Sequence, residues 1–113
     1  MTAARQTWSV YLVRRNDGGL YCGIATDVAA RLSAHERGLG SKALRGRGPL
    51  QLAFSRRIGT RGFAQRIEAA IKRLRKVDKE RLAANRAFAT RWFAAQRAAA
   101  RATAAASHFA AGS

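Results

Sequence analysis

The feature that most constrains the fold is a pair of short apolar stretches on either side of the Gly-rich segment Asn16-Asp17-Gly18-Gly19. The alternating apolar residues are Trp8, Val10 and Leu12 before this segment, and Leu20, Cys22 and Ile24 after it. Strand, Gly-rich turn and strand are typical of a β-hairpin. Because side chains alternate across a sheet with a period of two, the six apolar residues are expected on one face.

The loop length decides where the two tyrosines lie. An odd loop, most simply Asp17-Gly18-Gly19, pairs even positions with even positions and odd with odd. Tyr11, Tyr21 and Gly23 then share the face opposite to the apolar residues. A two-residue loop would place the tyrosines on different faces and leave one apolar set in water, so the odd loop is favoured.

The charge balance predicts a polyanionic partner. The 113 residues include 22 Lys and Arg against 6 Asp and Glu, a net charge of +16. Nucleic acid is the first candidate partner and an anionic membrane surface is the second. No apolar run is long enough to cross a bilayer, and residues 1–7 lack the apolar core of a signal peptide. With its single cysteine, the chain is expected to be cytoplasmic, in a reducing compartment.

The remaining pattern predicts an α+β fold, a small three-stranded antiparallel sheet flanked by helices. A first helix is expected from a cap at Thr26 or Asp27 to about residue 37, and a Gly-rich basic loop over 38–49. A third strand follows over 50–58, with Leu50, Leu52 and Phe54 on one face. A second helix is predicted over 63–76, and Asp78 is expected to cap a third.

Residues 8–83 are predicted to form the domain, and residues 84–113 an Ala- and Arg-rich C-terminal extension. Phe88, Trp92 and Phe93 could dock a helix from this extension on the domain. After Arg97 little is left to bury, so fraying or disorder is expected there.

The order of the motifs resembles the GIY-YIG nuclease domain. The motifs are Ser9-Val10-Tyr11, Tyr21-Cys22-Gly23, an arginine in the first helix (Arg31) and a lone glutamate in a later helix (Glu68). The resemblance runs from about Trp8 to Leu82 and is strongest to the small YhbQ-like group, which is also similar to the catalytic part of the Slx structure-specific nuclease. The first motif has Ser-Val in place of Gly-Ile, and the second has Cys in place of Ile.

This resemblance implies a catalytic centre. It makes Tyr11 or Tyr21 the general base for an attacking water, Arg31 the ligand of the scissile phosphate, and His35 a proton donor or relay. It also makes Glu68 the protein ligand of a divalent metal, Mg²⁺ or Mn²⁺. Each of the three helical residues could instead have a role unrelated to catalysis. Arg31 could form an ion pair with Asp27, Glu68 could form one with Lys72, and His35 could be a surface histidine.

Other residues are candidates for contacts with nucleic acid. Gly23 has no side chain, which would leave room for a phosphate or a backbone to approach. Lys42, Arg45 and Arg47 in the basic loop suit phosphate contacts, and a solvated loop is the alternative. Lys72, on the helix face of Glu68, is counted with them. Cys22 belongs to the apolar set and is interpreted as a core thiol.

The leading hypothesis is a metal-dependent endonuclease acting on DNA, selective for structure rather than sequence, with a role in DNA repair or recombination. The rival hypothesis is a basic nucleic-acid-binding module without catalysis. A membrane-surface protein is the weakest of the three, because the chain has no long, strongly amphipathic apolar face. The sequence predicts no small-molecule cofactor, and it leaves RNA as a substrate and the oligomeric state open.

Overall fold

The computed structural model describes the backbone of residues 6–112 and the side chains of residues 6–106. Its sheet has three antiparallel strands in the order β2-β1-β3. The strands are β1 (Trp8–Arg14), β2 (Leu20–Ala25) and β3 (Gln51–Gly59). The predicted α+β class is confirmed, and the first strand of the chain, β1, lies at the centre of the sheet between β2 and β3.

The hairpin pairs odd positions with odd positions as predicted, although its register differs from the one that the loop Asp17-Gly18-Gly19 would give. Tyr11 pairs with Gly23 and Val13 with Tyr21, so odd positions face odd positions and the two tyrosines share a face. The loop lies one residue earlier than expected, because the amide of Arg15 donates to the carbonyl of Gly19 at 2.8 Å. The turn is therefore Asn16-Asp17-Gly18, and Gly18 supplies the left-handed backbone with φ +85°.

Four helices follow the predicted order with shifted ends. They are α1 (Val28–Glu36), α2 (Arg61–Lys72), α3 (Lys76–Ala84) and α4 (Arg86–Gly112). Asp27 caps α1 as predicted, through its carboxylate and the amide of Ala30. The predicted helix over 63–76 was wrong at both ends, because the Thr60 hydroxyl caps it early and the chain turns after Arg73.

The predicted cap at Asp78 is also wrong. Arg75 occupies the N-cap position of α3 without a side-chain bond to the helix, and Asp78 lies inside the first turn. There its carboxylate pairs with Arg75 and Arg81 at 3.5 and 3.7 Å. Asp78 thus supplies negative charge near the helix N-terminus without capping it.

Helices α2, α3 and α4 cover one face of the sheet and form the main core. Its fully enclosed side chains include those of Val10, Leu12, Ile67, Ile71 and Leu82. Phe88, Trp92 and Phe93 pack there as predicted. Helix α4 continues to Gly112, although disorder was expected after Arg97. Alanine has the highest helix propensity, which accounts for a helix that continues with few residues to bury.

The tyrosine face of the sheet is also covered, which the sequence pattern did not predict. A second cluster contains Tyr11, Val13, Ala25, Leu44 and Leu50, with Tyr21 packed against it. Leu44 lies in a short 3₁₀ helix, Lys42–Leu44, within the predicted loop. Part of the basic loop therefore packs against the tyrosine face of the sheet through Leu44.

A bulge in β3 accounts for one further difference. The pairing shifts between Leu12, opposite Phe54, and Val13, opposite Leu52. This shift places Phe54 and Leu50 in different clusters and leaves Leu52 41% exposed. The expectation that these three residues share one face was wrong, because an extra residue in one strand reverses the alternation. Among the described residues, none of the helices, α4 included, combines the length and the apolar composition of a membrane span.

Candidate active site

A buried tyrosine and histidine meet at the centre of the tyrosine face. Tyr11 comes from the middle of β1 and is 2% exposed, and His35 comes from the last turn of α1 and is 4% exposed. The Tyr11 hydroxyl and His35 Nε2 lie 3.0 Å apart and form a hydrogen bond. The reading of His35 as a surface histidine is therefore wrong.

Tyr21 stands on the other side of the same imidazole. Its ring meets the His35 ring edge-on, with 6.0 Å between centroids, while the Tyr11 centroid is 6.2 Å away. Tyr21 is half-buried, so it is the tyrosine with more access to solvent. The side chains of Tyr11, Tyr21 and His35 form one aromatic cluster, called the tyrosine site below.

The electrostatics of this site follow from its burial. Burial, together with Tyr21, raises the pKa of Tyr11 to about 12, and the Arg31 guanidinium opposes the shift. Glu68 acts in the same direction as burial, so the charges of both Arg31 and Glu68 reach the Tyr11 hydroxyl. Burial and Arg31 lower the pKa of His35 below its ordinary value of 6.5, which keeps the ring neutral at pH 7.

The second ring nitrogen of His35 is enclosed by the protein. Among the described residues, His35 Nδ1 is a buried side-chain nitrogen with no hydrogen bond. Gly40 approaches this side of the ring, since a Cβ atom there would lie 3.0 Å from Nδ1. Nε2 is therefore the ring nitrogen at which His35 can exchange a proton with Tyr11.

Arg31 lies at the rim of the site. It is exposed on α1 and lines a shallow surface cavity with Trp8, Ala25 and Asp27. The alternative pair with Asp27 is not formed: the Asp27 carboxylate accepts from the amide of Ala30 and makes no ion pair with Arg31. The guanidinium is thus available to an anionic ligand.

Glu68 has the environment of a weakly engaged carboxylate. Its side chain is 23% exposed, and its ion pair with Lys72 is long, at 3.7 Å. Within residues 6–106, no group of three or more His, Cys, Asp or Glu residues could hold a metal. A single carboxylate is compatible with Mg²⁺, which keeps several waters and takes oxygen ligands from phosphate. The donor set therefore fits a hard divalent ion and does not fit zinc, which needs several nitrogen or sulfur ligands.

The space beside the Gly23 Cα atom is filled by the Tyr11 ring. The expectation that the missing side chain leaves room for a phosphate is therefore wrong. A Cβ atom at Gly23 would overlap the Tyr11 hydroxyl and would lie 2.5 Å from Tyr11 Cζ. Glycine is therefore needed at this position because the Tyr11 ring lies across the β2 backbone. Cys22 is 5% exposed, and burial raises the pKa of its thiol to about 12, as expected of a core cysteine.

The basic loop has exposed cations on a fixed backbone. Lys42 and Arg45 point outward on either side of the buried Leu44. Arg47 is tied to the hairpin turn, through an ion pair with Asp17 at 3.5 Å and a bond from the Asn16 amide to its carbonyl. Leu44 was not among the residues singled out from the sequence, although a lone leucine between cations is a signal that part of a loop is buried.

Comparisons with known proteins agree with the architecture and the motif order. The sequence model of the GIY-YIG catalytic domain matches residues 7–81. A UPF0213 protein of Citrobacter koseri is 56% identical over 75 residues, which are 66% of this chain and 75% of that protein. The UPF0213 protein YhbQ of Salmonella typhimurium is 53% identical over 79 residues, 70% of this chain and 79% of that one.

A solution structure of a protein from E. faecalis is also similar. It aligns with a TM-score of 0.50 and 30% identity, and the match covers 68% of this chain and 82% of that one. The matched region of the family model ends in α3, so α4 lies beyond it.

Proposed function

Because the chain belongs to the GIY-YIG catalytic domain family, we propose that it is a divalent-metal-dependent endonuclease that hydrolyses phosphodiester bonds in DNA. The observation that carries this proposal is the buried hydrogen bond between the Tyr11 hydroxyl and His35 Nε2, 3.0 Å long, beside Tyr21. Selectivity for DNA structure over sequence and a role in repair or recombination belong to the same proposal. RNA is a second substrate to be tested.

In this proposal Tyr11 is the general base. A water attacks the phosphorus, its proton passes to the Tyr11 oxygen, and the Tyr11 proton passes to His35 Nε2. The bond from phosphorus to the leaving sugar oxygen breaks, and that oxygen takes a proton from solvent. The relay matters because a phenol of pKa about 12 carries its phenolate in only about one molecule in 10⁵ at pH 7. A neutral imidazole at hydrogen-bond distance provides the missing acceptor.

Arg31 and Tyr21 bind the reacting phosphate. The exposed guanidinium of Arg31 neutralises the charge that grows on the phosphate oxygens in the transition state. Tyr21 is half-buried beside His35, and its hydroxyl donates a hydrogen bond to a phosphate oxygen. The Tyr21 ring also limits the space available to the attacking water. Both groups also lie near the Tyr11 hydroxyl, whose pKa each of them affects.

Glu68 would hold the metal. When bound, a divalent ion supplies Lewis-acid stabilisation of negative charge on phosphate oxygens. The Lys72 ammonium, 3.7 Å from the Glu68 carboxylate, keeps that carboxylate charge-balanced in the metal-free protein. Displacing an exposed ion pair of this kind costs only about 0.3–0.5 kcal/mol, so Lys72 can turn to a phosphate when metal binds.

The test compares cleavage and binding in matched variants. Wild-type protein, Glu68→Gln and the control Glu80→Gln are incubated with labelled branched, single-stranded and duplex DNA, and with RNA, in Mg²⁺, Mn²⁺ or EDTA. Both substitutions remove one negative charge. Glu80 is not part of the tyrosine site; its carboxylate forms an ion pair with Arg14, with an N–O distance of 2.7 Å. We expect metal-dependent cleavage by wild type and Glu80→Gln, and its loss in Glu68→Gln with binding retained.

Two results would decide against this mechanism. Equal cleavage by wild type and Glu68→Gln would show that Glu68 does not bind the catalytic metal. Binding without cleavage of any substrate would support the second candidate, a non-catalytic nucleic-acid-binding module. The net charge of +16 and the exposed Lys42 and Arg45 favour that candidate if catalysis fails.

A further inference from the structure

Two neighbouring arginines of β3 point to opposite faces of the sheet. Ser9 pairs with Arg57 and Val10 with Arg56, so Arg57 shares the face of Tyr11 and Arg56 shares the face of the main core. The Arg56 guanidinium stacks on the Phe93 ring, 4.7 Å from its centroid. Arg56 is therefore engaged in packing α4 on the sheet.

Arg57 has no such engagement. It is exposed and makes no ion pair or side-chain hydrogen bond with another residue in the part of the chain described. Its neighbour on the same face is Ser55, which is also exposed and pairs directly with Tyr11. A cation and a hydroxyl thus project from the β3 edge next to the strand that carries Tyr11.

Arg31 lies on the opposite side of the same strand. Ser9 pairs with Ala25 of β2 as well as with Arg57 of β3, and Ala25 lines a surface cavity with Arg31. Adjacent strands are about 4.8 Å apart, so the backbones at Ala25 and Arg57 are separated by about 10 Å. That separation is about three times the axial rise of 3.4 Å per phosphate of one DNA strand, so the two positions can contact different phosphates of one backbone.

We propose that Arg57, assisted by Ser55, is a second anchor for the nucleic-acid backbone, so that the substrate crosses the sheet from α1 over the tyrosine site to the β3 edge. The inference rests on the proposed nuclease function and adds the direction of the bound strand. The ligand is a backbone phosphodiester, which a guanidinium fork binds through two parallel hydrogen bonds. The contact is to the backbone, so it carries no base specificity.

Arg56 gives a matched control for this proposal. Arg57→Ala and Arg56→Ala remove the same charge from consecutive positions on opposite faces, so long-range electrostatics change almost equally. Binding of a fluorescein-labelled DNA duplex is measured in EDTA over a range of salt concentrations. We expect Arg57→Ala to weaken binding about tenfold and to reduce the salt slope of log K by about 0.9, as for one lost phosphate contact. Arg56→Ala should leave the slope unchanged.

Further variants guard against loss of folding. Arg57→Lys keeps the charge and should retain the salt slope with weaker binding, because it lacks the fork. If Arg56→Ala unfolds after losing its contact with Phe93, Arg91→Ala replaces it as control, since Arg91 is exposed on α4. Equal slopes for Arg57→Ala and its control would overturn the anchor.

The binding assay separates this inference from the nuclease proposal. A reduced slope for Arg57→Ala in a protein that never cleaves would keep the anchor and reject the enzyme. Normal cleavage together with equal slopes for Arg57→Ala and its control would keep the enzyme and reject the anchor. If both stand, Arg57→Ala should raise KM with kcat nearly unchanged, because the contact lies outside the reacting atoms.

Discussion

Replacing Gly23 by Ala should damage the tyrosine site from inside the protein. The added methyl group would overlap the Tyr11 hydroxyl and lie 2.5 Å from Tyr11 Cζ. Ordinary carbon contacts are about 3.5–4.0 Å, so the ring must retreat by about 1 Å. Tyr11 is 2% exposed and cannot move into solvent, so its movement displaces His35 or the buried residues around it.

The cost of this change can be worked from two contributions. Overpacking of a well-packed site costs about 1–3 kcal/mol. Loss of the bond between Tyr11 and His35 adds about 1 kcal/mol, because two buried polar groups lose their partner. We therefore expect Gly23→Ala to be less stable by about 2–4 kcal/mol, which would lower the Tm by roughly 10 °C in a chain of this size. Cleavage should fall with the displaced Tyr11 hydroxyl.

Urea unfolding followed by tryptophan fluorescence measures this loss, and Gly62→Ala provides the control. Gly62 lies in the first turn of α2, and a Cβ atom there would meet nothing within 4 Å. Alanine should stabilise that position by up to about 1 kcal/mol. If Gly23→Ala unfolds like wild type but binds DNA more weakly, Gly23 faces the nucleic acid instead of Tyr11, and the packing argument is refuted.

Two further predictions concern protons and salt. Burial and Arg31 lower the pKa of His35 in the folded state. The contribution of the neutral ring to wild-type stability should therefore be complete above about pH 6.5 and be lost as the pH falls toward the folded-state pKa. Urea unfolding at several pH values measures this, and His35→Gln should lack the dependence of stability on pH. Arg45→Ala and Arg47→Ala should each reduce the salt slope of DNA binding by about 0.9 per phosphate contact. Arg47→Ala should also lower stability slightly, because Arg47 pairs with Asp17, and an unchanged slope would mean that the loop cations point into water.

The hairpin was predictable because its alternation is local. A period of two and an odd loop determine which face each residue takes, so the shared face of Tyr11, Tyr21 and Gly23 was predictable. The individual pairs, Tyr11 with Gly23 and Val13 with Tyr21, depend on the exact position of the loop, which lies one residue earlier than predicted. The motif order predicted the family for the same reason, since it depends on sequence spacing alone. The first helix was predictable from Asp27 and Gly38, which lie at its two ends.

The cover over the tyrosine site was not predictable, because it depends on long-range packing. Leu44 belongs to a Gly-rich basic segment with no periodic pattern, yet it is 1% exposed beneath Tyr11. The bulge that separates Leu50 from Phe54 leaves no composition signal in β3. The Tyr11 ring over Gly23 reverses the functional interpretation of that glycine, and only side-chain positions reveal it.

A last prediction separates the cations that bind nucleic acid from those that hold the fold. The Arg97 guanidinium lies 5.1 Å from the Phe63 ring centroid and donates to the Ile58 carbonyl at 3.1 Å, so it fastens α4 to both α2 and β3. Arg97→Ala should lower stability by about 1–2 kcal/mol, from one cation–π contact and one hydrogen bond. Because this guanidinium is occupied in packing, the salt slope of DNA binding should not change. Arg45→Ala should show the opposite pair of effects, and a reduced slope for Arg97→Ala would place nucleic acid on the helical face instead.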